Sequence, residues 1–189
     1  MSGGWGETLT GMARTAIAEA LGLPAVWPDI STSDEQRLSE PGAAFVTLKR
    51  QGRLRGCIGS LEATRPLRED LTRNAVAAAL HDPRFLPLMA SELDEVSIEV
   101  SLLSRPQSLD VHSESETIIA LRPGLDGVIL SLGMQRATFL PQVWEELRDP
   151  REFLAQLRHK AGLATDCWDP AIEVSVYTVE HFSEVDGHE

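Results

Sequence analysis

Residues 43–61 read AAFVTLKRQGRLRGCIGSL. Residues 43–50 and 54–61 are two segments rich in apolar residues, and a polar turn that contains Gly52 separates them. Two such segments joined by a short, glycine-containing link are typical of a β-hairpin. The sequence therefore predicts an antiparallel strand pair here, with Cys57 in its second strand.

Helical and strand patterns are interleaved along the rest of the chain. Apolar periodicity and capping residues predict helices over residues 5–21, 66–82, 113–121 and 150–162. Alternation with period two predicts strands over residues 96–104 and 171–182, and a second hairpin within 127–140. Because the regular strand-helix-strand repeat of a parallel sheet is missing, we expect an α+β fold, with a largely antiparallel sheet and flanking helices. Residues 26–42, rich in proline, serine and acidic residues, are expected to be a connecting loop.

The composition is that of an ordinary globular protein, with 42% hydrophobic and 24% charged residues over a length of 189. This length suffices for one sizeable domain or two small lobes, and residues 1–189 are predicted to form a single domain. The first residues do not resemble a secretory signal, and no apolar run approaches the roughly 20 residues of a membrane span. The two cysteines, Cys57 and Cys167, are expected to be free thiols in a reducing compartment, which predicts a cytoplasmic protein.

Charge is distributed unevenly along the chain. The net charge of −12 argues against a general nucleic-acid binder, which needs a basic face to neutralise phosphates. Residues 49–73, called the basic segment below, nevertheless hold seven basic and three acidic residues. This excess either attracts an anionic ligand or pairs with acidic neighbours in the fold, and both interpretations stay open. Residues 183–189 are expected to be a flexible acidic tail.

The motif LRGCIG, residues 54–59, brings a thiol close to a guanidinium. In a regular strand Arg55 and Cys57 lie on the same face, while Leu54 and Ile58 point into the core. A guanidinium close to a thiol favours the thiolate, which is the reactive form of cysteine. One interpretation is therefore a nucleophile or ligand-binding thiol beside an anion clamp.

Two glycines of this motif, Gly56 and Gly59, support either of two interpretations of Cys57. Because they lack side chains, they leave room for a ligand or another backbone to approach closely. Alternatively, strand glycines mark a bulge, and free cysteine is among the residue types most often buried. Cys57 is therefore either a functional thiol or a packing residue.

The turn Asp82-Pro83-Arg84-Phe85 follows the predicted helix and supplies further candidates. Arg84 either clamps a carboxylate or phosphate, or it forms a structural ion pair while Asp82 caps the turn. His81 either serves as a base for Cys57 or only interacts favourably with the helix dipole. The histidines are scattered without a zinc-binding motif, so no metal site is predicted, and the cofactor is left unknown.

Three stretches, in this order, resemble the AMMECR domain family: FVTLKRQGRLRGCIGSLEATRPL (45–67), AVAAALHDPRF (75–85) and GVILSLGMQRATFLPQVW (127–144). The resemblance extends from about residue 7 to about residue 180, and LRGCIG is its signature. It is greatest to the bacterial and archaeal branch called AmmeMemoRadiSam system protein A. It implies a single α+β unit with a larger and a smaller lobe, in which the motif lines a cleft between the lobes.

The resemblance also implies which residues line that cleft. The implied catalytic thiol is Cys57, and the implied substrate-binding residues are Arg55, Gly56, Gly59, Asp82, Arg84, Thr138 and Gln142. Relatives often have a histidine where this chain has Asp126. Any role of that histidine therefore passes here to a carboxylate or is lost.

Residues and resemblance together predict an enzyme or enzyme subunit that acts on a small anionic substrate, or on a modification substrate, through Cys57. The alternative is a non-catalytic accessory protein that docks onto a Memo-like protein and a radical-SAM protein, the partners that the family name implies. RNA binding through the basic hairpin is a weaker alternative, because the LRGCIG motif has no aromatic residue on which a base stacks.

Overall fold

The structure is a computed structural model that describes residues 4–165 and 168–184. The chain forms two compact units: the first comprises residues 1–103 and 180–189, and the second comprises residues 104–179. Each unit has its own antiparallel sheet and its own hydrophobic core. The predicted α+β fold is therefore confirmed. Among the described residues, no helix combines the length and the apolar character that a membrane crossing requires.

The first unit packs two helices, α1 and α3, against a five-stranded sheet with the order β2-β1-β4-β9, in which the short β3 pairs with β1. The core contains alternate residues of the central strands, such as Val46 and Leu48 of β1 and Ile98 of β4. This alternation gives the sheet one apolar face under the helices. The elements of the first unit are α1 (Trp5–Ala20), α2 (Thr32–Ser39), β1 (Pro41–Arg50), β2 (Arg53–Gly59), β3 (Arg65–Pro66), α3 (Leu67–Leu80), a 3-10 helix (Ala90–Glu95), β4 (Val96–Leu103) and β9 (Val179–Ser183).

The second unit packs its longest helix, α5, against a four-stranded sheet with the order β5-β8-β6-β7. Phe153 of α5 is fully buried, and its ring stacks on Trp144 with 3.7 Å between the ring centroids. Asp149 caps the helix by accepting a hydrogen bond from the N–H of Arg151, and Pro150 occupies the first helical position. The elements of the second unit are β5 (Gln107–Leu109), α4 (Glu114–Ala120), β6 (Gly127–Leu132), β7 (Gln135–Phe139), a 3-10 helix (Pro141–Glu145), α5 (Pro150–Lys160) and β8 (Glu173–Tyr177).

Helix α3 begins directly after the predicted proline. Pro66, with a φ of −53°, is the N-cap, and the helix runs from Leu67. Proline loses no hydrogen bond at a helix start, because the first N–H groups of a helix have no partner within it. Glu69 and Asp70 in the first turn interact favourably with the positive end of the helix dipole. The helix therefore starts where the sequence indicates, and it carries the Asp82 turn at its far end.

Residues 26–42 are not a loop throughout, so that prediction is wrong for part of the segment. They contain α2 and the start of β1. Ser31 caps α2 by accepting a hydrogen bond from the N–H of Asp34 at 3.2 Å. Of the α2 residues only Leu38 is buried. A helix with a single buried residue has no apolar stripe, which is why its pattern does not stand out in the sequence.

The hairpin predicted for residues 43–61 is confirmed, and its turn has two residues. Gln51 and Gly52 have φ angles of 52° and 74°. Positive φ at both positions is the requirement of a type I′ turn, whose twist matches that of the flanking strands. Arg50 and Arg53 form the pair next to the turn.

A bulge in β2 changes the alternation of the LRGCIG motif. Lys49 pairs with Leu54, and Leu48 pairs with Gly56, so Arg55 is an extra residue without an opposite position in β1. An extra residue of this kind moves the next side chains to the other face of the sheet. Regular alternation therefore does not hold across Arg55.

The bulge decides which apolar residues of the motif reach the core. Ile58 packs against the core of the first unit, as predicted. Leu54 is 43% exposed, and the prediction that it points into the core is wrong. Leu54 pairs with Lys49, which belongs to the strand face opposite the buried Leu48.

The predicted flexible tail is wrong for its first two residues. Ser183 belongs to β9, which pairs the tail's start with the first unit's sheet. Glu184 accepts hydrogen bonds from Nε and Nη2 of Arg14, both at 2.6 Å, and from the N–H of Ile98 at 2.9 Å. Residues 185–189 lie outside the described residues.

Candidate functional site

Cys57 is a half-buried residue of β2, an edge strand of the first unit's sheet. It lies opposite Thr47 of β1, whose hydroxyl donates a hydrogen bond to the Cys57 Sγ at 3.2 Å. In an antiparallel strand pair, two opposite residues whose N–H and C=O groups point away from each other have side chains that lie close together. The thiol therefore lies on the sheet face opposite the core, next to a hydroxyl donor.

The main chain of Cys57 is held by two side chains of the turn that follows α3. The N–H of Cys57 donates to Oδ2 of Asp82 at 2.9 Å, and Nη2 of Arg84 donates to the carbonyl of Cys57 at 3.1 Å. The same guanidinium grips the carboxylate, through Nη2 to Oδ2 at 2.7 Å and Nε to Oδ1 at 2.9 Å. Asp82 thus supplies the acceptor, and Arg84 the donor, that a neighbouring strand would otherwise offer at this edge.

Burial and charge differ sharply between these two side chains. The side chain of Asp82 is only 2% exposed, whereas that of Arg84 is 54% exposed. The hydrogen bond from Arg84 holds the pKa of the Asp82 carboxyl well below its usual range; burial opposes this, and the N–H groups of Cys57 and Arg84 add to it. The hydrogen bond from Asp82 in turn raises the pKa of Arg84, and the nearby Cys57 sulfur contributes to that rise. The site therefore pairs a thiol with a permanently charged, accessible cation.

Arg55 does not share the surroundings of Cys57 that regular alternation predicts. Its Nε and Nη2 donate to the carboxylate of Glu92 at 3.3 and 3.0 Å, and its Nη1 donates to the carbonyl of Leu86 at 3.0 Å. The N–H of Met89 also donates to the Glu92 carboxylate, at 2.9 Å. The hydrogen bonds from Arg55 and, next in effect, from Met89 lower the pKa of Glu92, and burial opposes this. These contacts support a structural role for Arg55 rather than an anion clamp.

Protein atoms occupy the space where Gly56 and Gly59 lack a side chain, so these glycines do not leave room for a ligand. A Cβ on Gly56 would lie 2.1 Å from the carbonyl oxygen of Ala78 in α3. A Cβ on Gly59 would lie 2.1 Å from the ring of Phe45 in β1. The interpretation in which glycine permits the close approach of another part of the chain is therefore the one these positions support.

The basic segment forms ion pairs within the first unit. Its paired cations and their acidic partners are Lys49 with Glu99, Arg50 with Glu92 and Glu95, Arg55 with Glu92, Arg65 with Asp70, Arg68 with Glu35, and Arg73 with Glu69. The interpretation in which this charge pairs with acidic neighbours is thus the one observed. The cation beside Cys57 is Arg84, which lies outside the segment.

Thr138 and Gln142 belong to the second unit. The hydroxyls of Thr138 and Tyr177 lie 3.1 Å apart, and burial raises the pKa of Tyr177, although the contact with Thr138 opposes this. Gln142 is exposed on the 3-10 helix that follows β7. Their predicted membership of one site with Cys57 stays a prediction.

Asp126, the position at which the family resemblance suggests a histidine in relatives, has a structural environment in the second unit. Its buried carboxylate accepts hydrogen bonds from the N–H of Arg122 at 2.8 Å and from Nη2 of the same residue at 2.6 Å. Its carbonyl accepts a hydrogen bond from Nε1 of Trp144 at 2.8 Å. Asp126 therefore organises the loop before β6.

Thr47 is the member of the Cys57 site that sequence reasoning misses. Its position opposite Cys57 depends on the bulge, for which the sequence gives only the strand glycine as a signal. His81 ends α3, and within the described part of the chain no hydrogen bond joins it to Cys57. No cluster of side chains suited to a metal ion occurs among residues 4–165 and 168–184, and Cys167 lies outside the described residues.

Comparisons with known proteins agree on the family. The family model described as AMMECR1 matches residues 10–182. A protein of Methanothermobacter thermautotrophicus is 40% identical over 187 residues, which cover 95% of this chain and 94% of that protein. Protein TK0174 of Thermococcus kodakarensis is 40% identical over 188 residues, which cover 95% and 90% of the two chains.

A solved structure agrees with the described fold. The crystal structure of the uncharacterized protein PH0010 from Pyrococcus horikoshii is 37% identical, with a TM-score of 0.74. The match covers 95% of this chain and 91% of that chain. Together with the LRGCIG motif and the family match over most of the length, this likeness establishes that the chain belongs to the AMMECR1 family.

Proposed function

We propose that the protein is an enzyme, or a subunit of one, that acts on a small anionic substrate at Cys57. The observation that carries this proposal is the grip of Asp82 and Arg84 on the main chain of Cys57. A buried carboxylate there anchors an accessible guanidinium beside a half-buried thiol. In this role Cys57 is the nucleophile or binding thiol, and Arg84 contacts the negative group of the substrate.

Arg84 is able to contact an anion without releasing its present partners. Its Nε and Nη2 bind Asp82 and Cys57, and a guanidinium has five N–H donors in all. Charge-assisted hydrogen bonds from arginine are well suited to carboxylate and phosphate groups. The hydroxyl of Thr47 meanwhile stabilises negative charge on the sulfur.

The test compares an anionic with a neutral alkylating reagent at Cys57. The quantity measured is the alkylation rate with iodoacetate divided by the rate with iodoacetamide, in a Cys167→Ser background. We expect this ratio to be higher for Cys57 than for a free thiol in solution. The ratio of the two rates should fall about fivefold in Arg84→Gln, because a charge at about 4 Å in water contributes about 1 kcal/mol. Both rates are measured by mass spectrometry of the intact protein.

Arg55→Gln is the matched control, because it removes a cation two residues from Cys57 that is bound to Glu92. It should leave the ratio of rates within about twofold of the starting protein, because the Arg55 guanidinium is only 15% exposed and is already bound to Glu92. Circular dichroism verifies that both variants are folded. An unchanged ratio in Arg84→Gln, or a Cys57 that neither reagent modifies in the folded protein, contradicts the proposal.

A second candidate function is an accessory role within the AmmeMemoRadiSam branch, as its system protein A, with a Memo-like protein and a radical-SAM protein as partners. Two exposed apolar side chains favour it. Leu86 is 83% exposed and Met89 is 62% exposed, and both follow Arg84 closely in the chain. Exposed large apolar side chains within a few residues of each other are the kind of group that docking surfaces use.

Affinity capture with the purified partners tests this second candidate. We expect either partner to retain the chain at moderate salt, and Leu86→Ser with Met89→Ser to reduce retention at least tenfold, which is the scale of hot-spot residues. Met134→Ser, at a side chain that is fully exposed in the second unit, is the control and should leave retention unchanged. If neither partner retains the chain at any of the salt concentrations tested, the result counts against the accessory role.

A further inference from the structure

The outer edge of β2 is closed at Cys57 and open at Gly59. Both main-chain groups of Cys57 point away from β1, because they bind Asp82 and Arg84. The N–H of Ser60 points the other way and donates to a carbonyl of β1 at 3.1 Å. Since these directions alternate along a strand, the N–H and C=O of Gly59 point away from β1, as those of Cys57 do. Among the described residues, no side chain hydrogen-bonds to the main chain of Gly59 in this way.

An open strand edge of this kind is a template for an extended peptide. The two main-chain groups of Gly59 match one residue of an antiparallel peptide, which donates its N–H to the Gly59 carbonyl and accepts from the Gly59 N–H. The next equivalent position along the edge, at Cys57, is filled by Asp82 and Arg84. A peptide paired with Gly59 therefore has to end at the level of Cys57.

The charge at the closed end decides which end of a peptide fits there. The Arg84 side chain is 54% exposed, whereas the Asp82 side chain is 2% exposed, so the guanidinium is the charge that a ligand meets. The bonds to Asp82 and Cys57 use Nε and Nη2, which leaves both N–H groups of Nη1 for a carboxylate. A peptide that ends in a carboxylate at Cys57, with its earlier residues at Gly59, runs antiparallel to β2. The charge and the pairing thus require the same direction.

Phe45 adds an apolar contact beside the open edge. A Cβ on Gly59 would lie 2.1 Å from the Phe45 ring, so this half-buried ring lies over Gly59, on the sheet face that carries Cys57. Directly opposite residues of antiparallel strands have their side chains on the same face. The peptide residue opposite Gly59 therefore places its side chain beside the Phe45 ring, where an apolar group is favoured.

We propose that the edge at Gly59 binds the C-terminal end of an extended peptide. An apolar penultimate residue lies opposite Gly59 and beside Phe45, and the terminal carboxylate lies at Arg84, next to the Cys57 thiol. The proposal rests on the function proposed above, because it names a peptide C terminus as the anionic substrate of Cys57. It adds to the site Phe45 and the main chain of Gly59, neither of which takes part in the alkylation test.

Three tetrapeptides with acetylated N termini test the carboxylate and the apolar contact: Ac-Ala-Ala-Leu-Ala as the free acid, the same peptide as the C-terminal amide, and Ac-Ala-Ala-Ser-Ala as the free acid. NMR titration of the nitrogen-15-labelled protein gives the three Kd values. We expect the leucine acid to bind about fivefold more tightly than its amide, in line with the modest energy of an exposed ion pair. It should bind about threefold more tightly than the serine peptide, as expected from the burial of about 30 Å² of apolar surface. The Gly59 amide resonance should shift, because its N–H gains an acceptor.

N-Methylation of the leucine acid tests the strand pairing itself. A methyl group on the leucine nitrogen removes the N–H that donates to the Gly59 carbonyl, and it should weaken binding at least fivefold. A methyl group on the nitrogen of the last alanine is the matched control, because that N–H points away from β2 in the paired peptide. It should leave the Kd within about twofold.

Two protein variants then locate the carboxylate. Arg84→Gln should reduce the preference for the acid over the amide to about one, whereas Arg55→Gln should leave it unchanged, because Arg55 is bound to Glu92. The peptide comparisons use the unmodified protein, so they hold even if a variant does not fold. Equal Kd values for acid and amide, or equal effects of the two methyl groups, would overturn this inference. If the iodoacetate ratio still depends on Arg84 in that case, the function proposed for Cys57 stands without the peptide; if that ratio is also unchanged, both fall.

Discussion

Alanine in place of Gly56 should prevent stable folding of the first unit, or reduce its free energy of unfolding by more than about 3 kcal/mol. The added Cβ would lie 2.1 Å from the carbonyl oxygen of Ala78 and 3.1 Å from the carbonyl carbon. Both are backbone atoms inside α3, so no side-chain rotation relieves the overlap. The strand or the helix has to move, and the buried Leu48 opposite Gly56 would move with it.

Two control variants show whether the effect belongs to this contact. Gly4→Ala makes the same chemical change where no heavy atom lies within 4 Å of the added group. Leu54→Ala changes an exposed residue of the same strand. Both should stay within about 1 kcal/mol of the starting protein in urea denaturation. A Gly56→Ala protein that is soluble and unfolds at the same urea concentration as the controls would contradict the described packing of α3 on β2.

The hairpin was predictable from local signals, but the face that each of its residues occupies was not. Counting outward from the pair Arg50 and Arg53, a regular ladder would place Cys57 opposite Val46, which is fully buried in the core. The single extra residue, Arg55, instead places Cys57 opposite Thr47, on the other face. A one-residue change of register exchanges the two faces of a strand, and a bulge has only a weak sequence signal.

The candidate site was predicted in its parts and not in its arrangement. Cys57, Asp82 and Arg84 are each identified by the motifs around them, and the structure joins them through the main chain of Cys57. Neither charge counting nor periodicity reveals this, because the contacts join residues that lie far apart in sequence. The sequence left two interpretations of the basic segment open for the same reason: the acidic partner Glu92 lies beyond α3, and only the fold brings it to Arg55.

Replacing Asp82 with alanine should cause the second-largest loss, about 2–4 kcal/mol of the free energy of unfolding at pH 7, from the loss of several charge-assisted hydrogen bonds. The N–H groups of Cys57 and Arg84 and the Arg84 guanidinium all lose their acceptor, at a position that is only 4% exposed. Asp82→Asn should lose less, because its amide oxygen still accepts from an N–H group. Urea denaturation measures both losses.

Loss of the Asp82 carboxylate should also expose the thiol. In the Cys167→Ser background, iodoacetamide should modify Cys57 faster in Asp82→Ala, because β2 has lost its anchor. A rate equal to that of the starting protein would argue against anchoring.

The same carboxylate predicts how stability depends on acid. Because folding depresses the pKa of Asp82 below its unfolded value near 4, its contribution is complete above about pH 4 and is lost as the pH falls toward the folded-state pKa. The unmodified protein should therefore lose stability between about pH 4 and pH 2 more steeply than Asp82→Asn, by up to about 1.4 kcal/mol per pH unit, so that the two curves converge in acid. Glu92 also has a depressed pKa, but it titrates in both proteins and cancels in the comparison. The control Glu95→Gln removes a carboxylate that is 51% exposed, and it should keep the steep loss of stability in acid. Parallel stability curves for Asp82→Asn and the unmodified protein would show that the Asp82 carboxylate does not cause that loss.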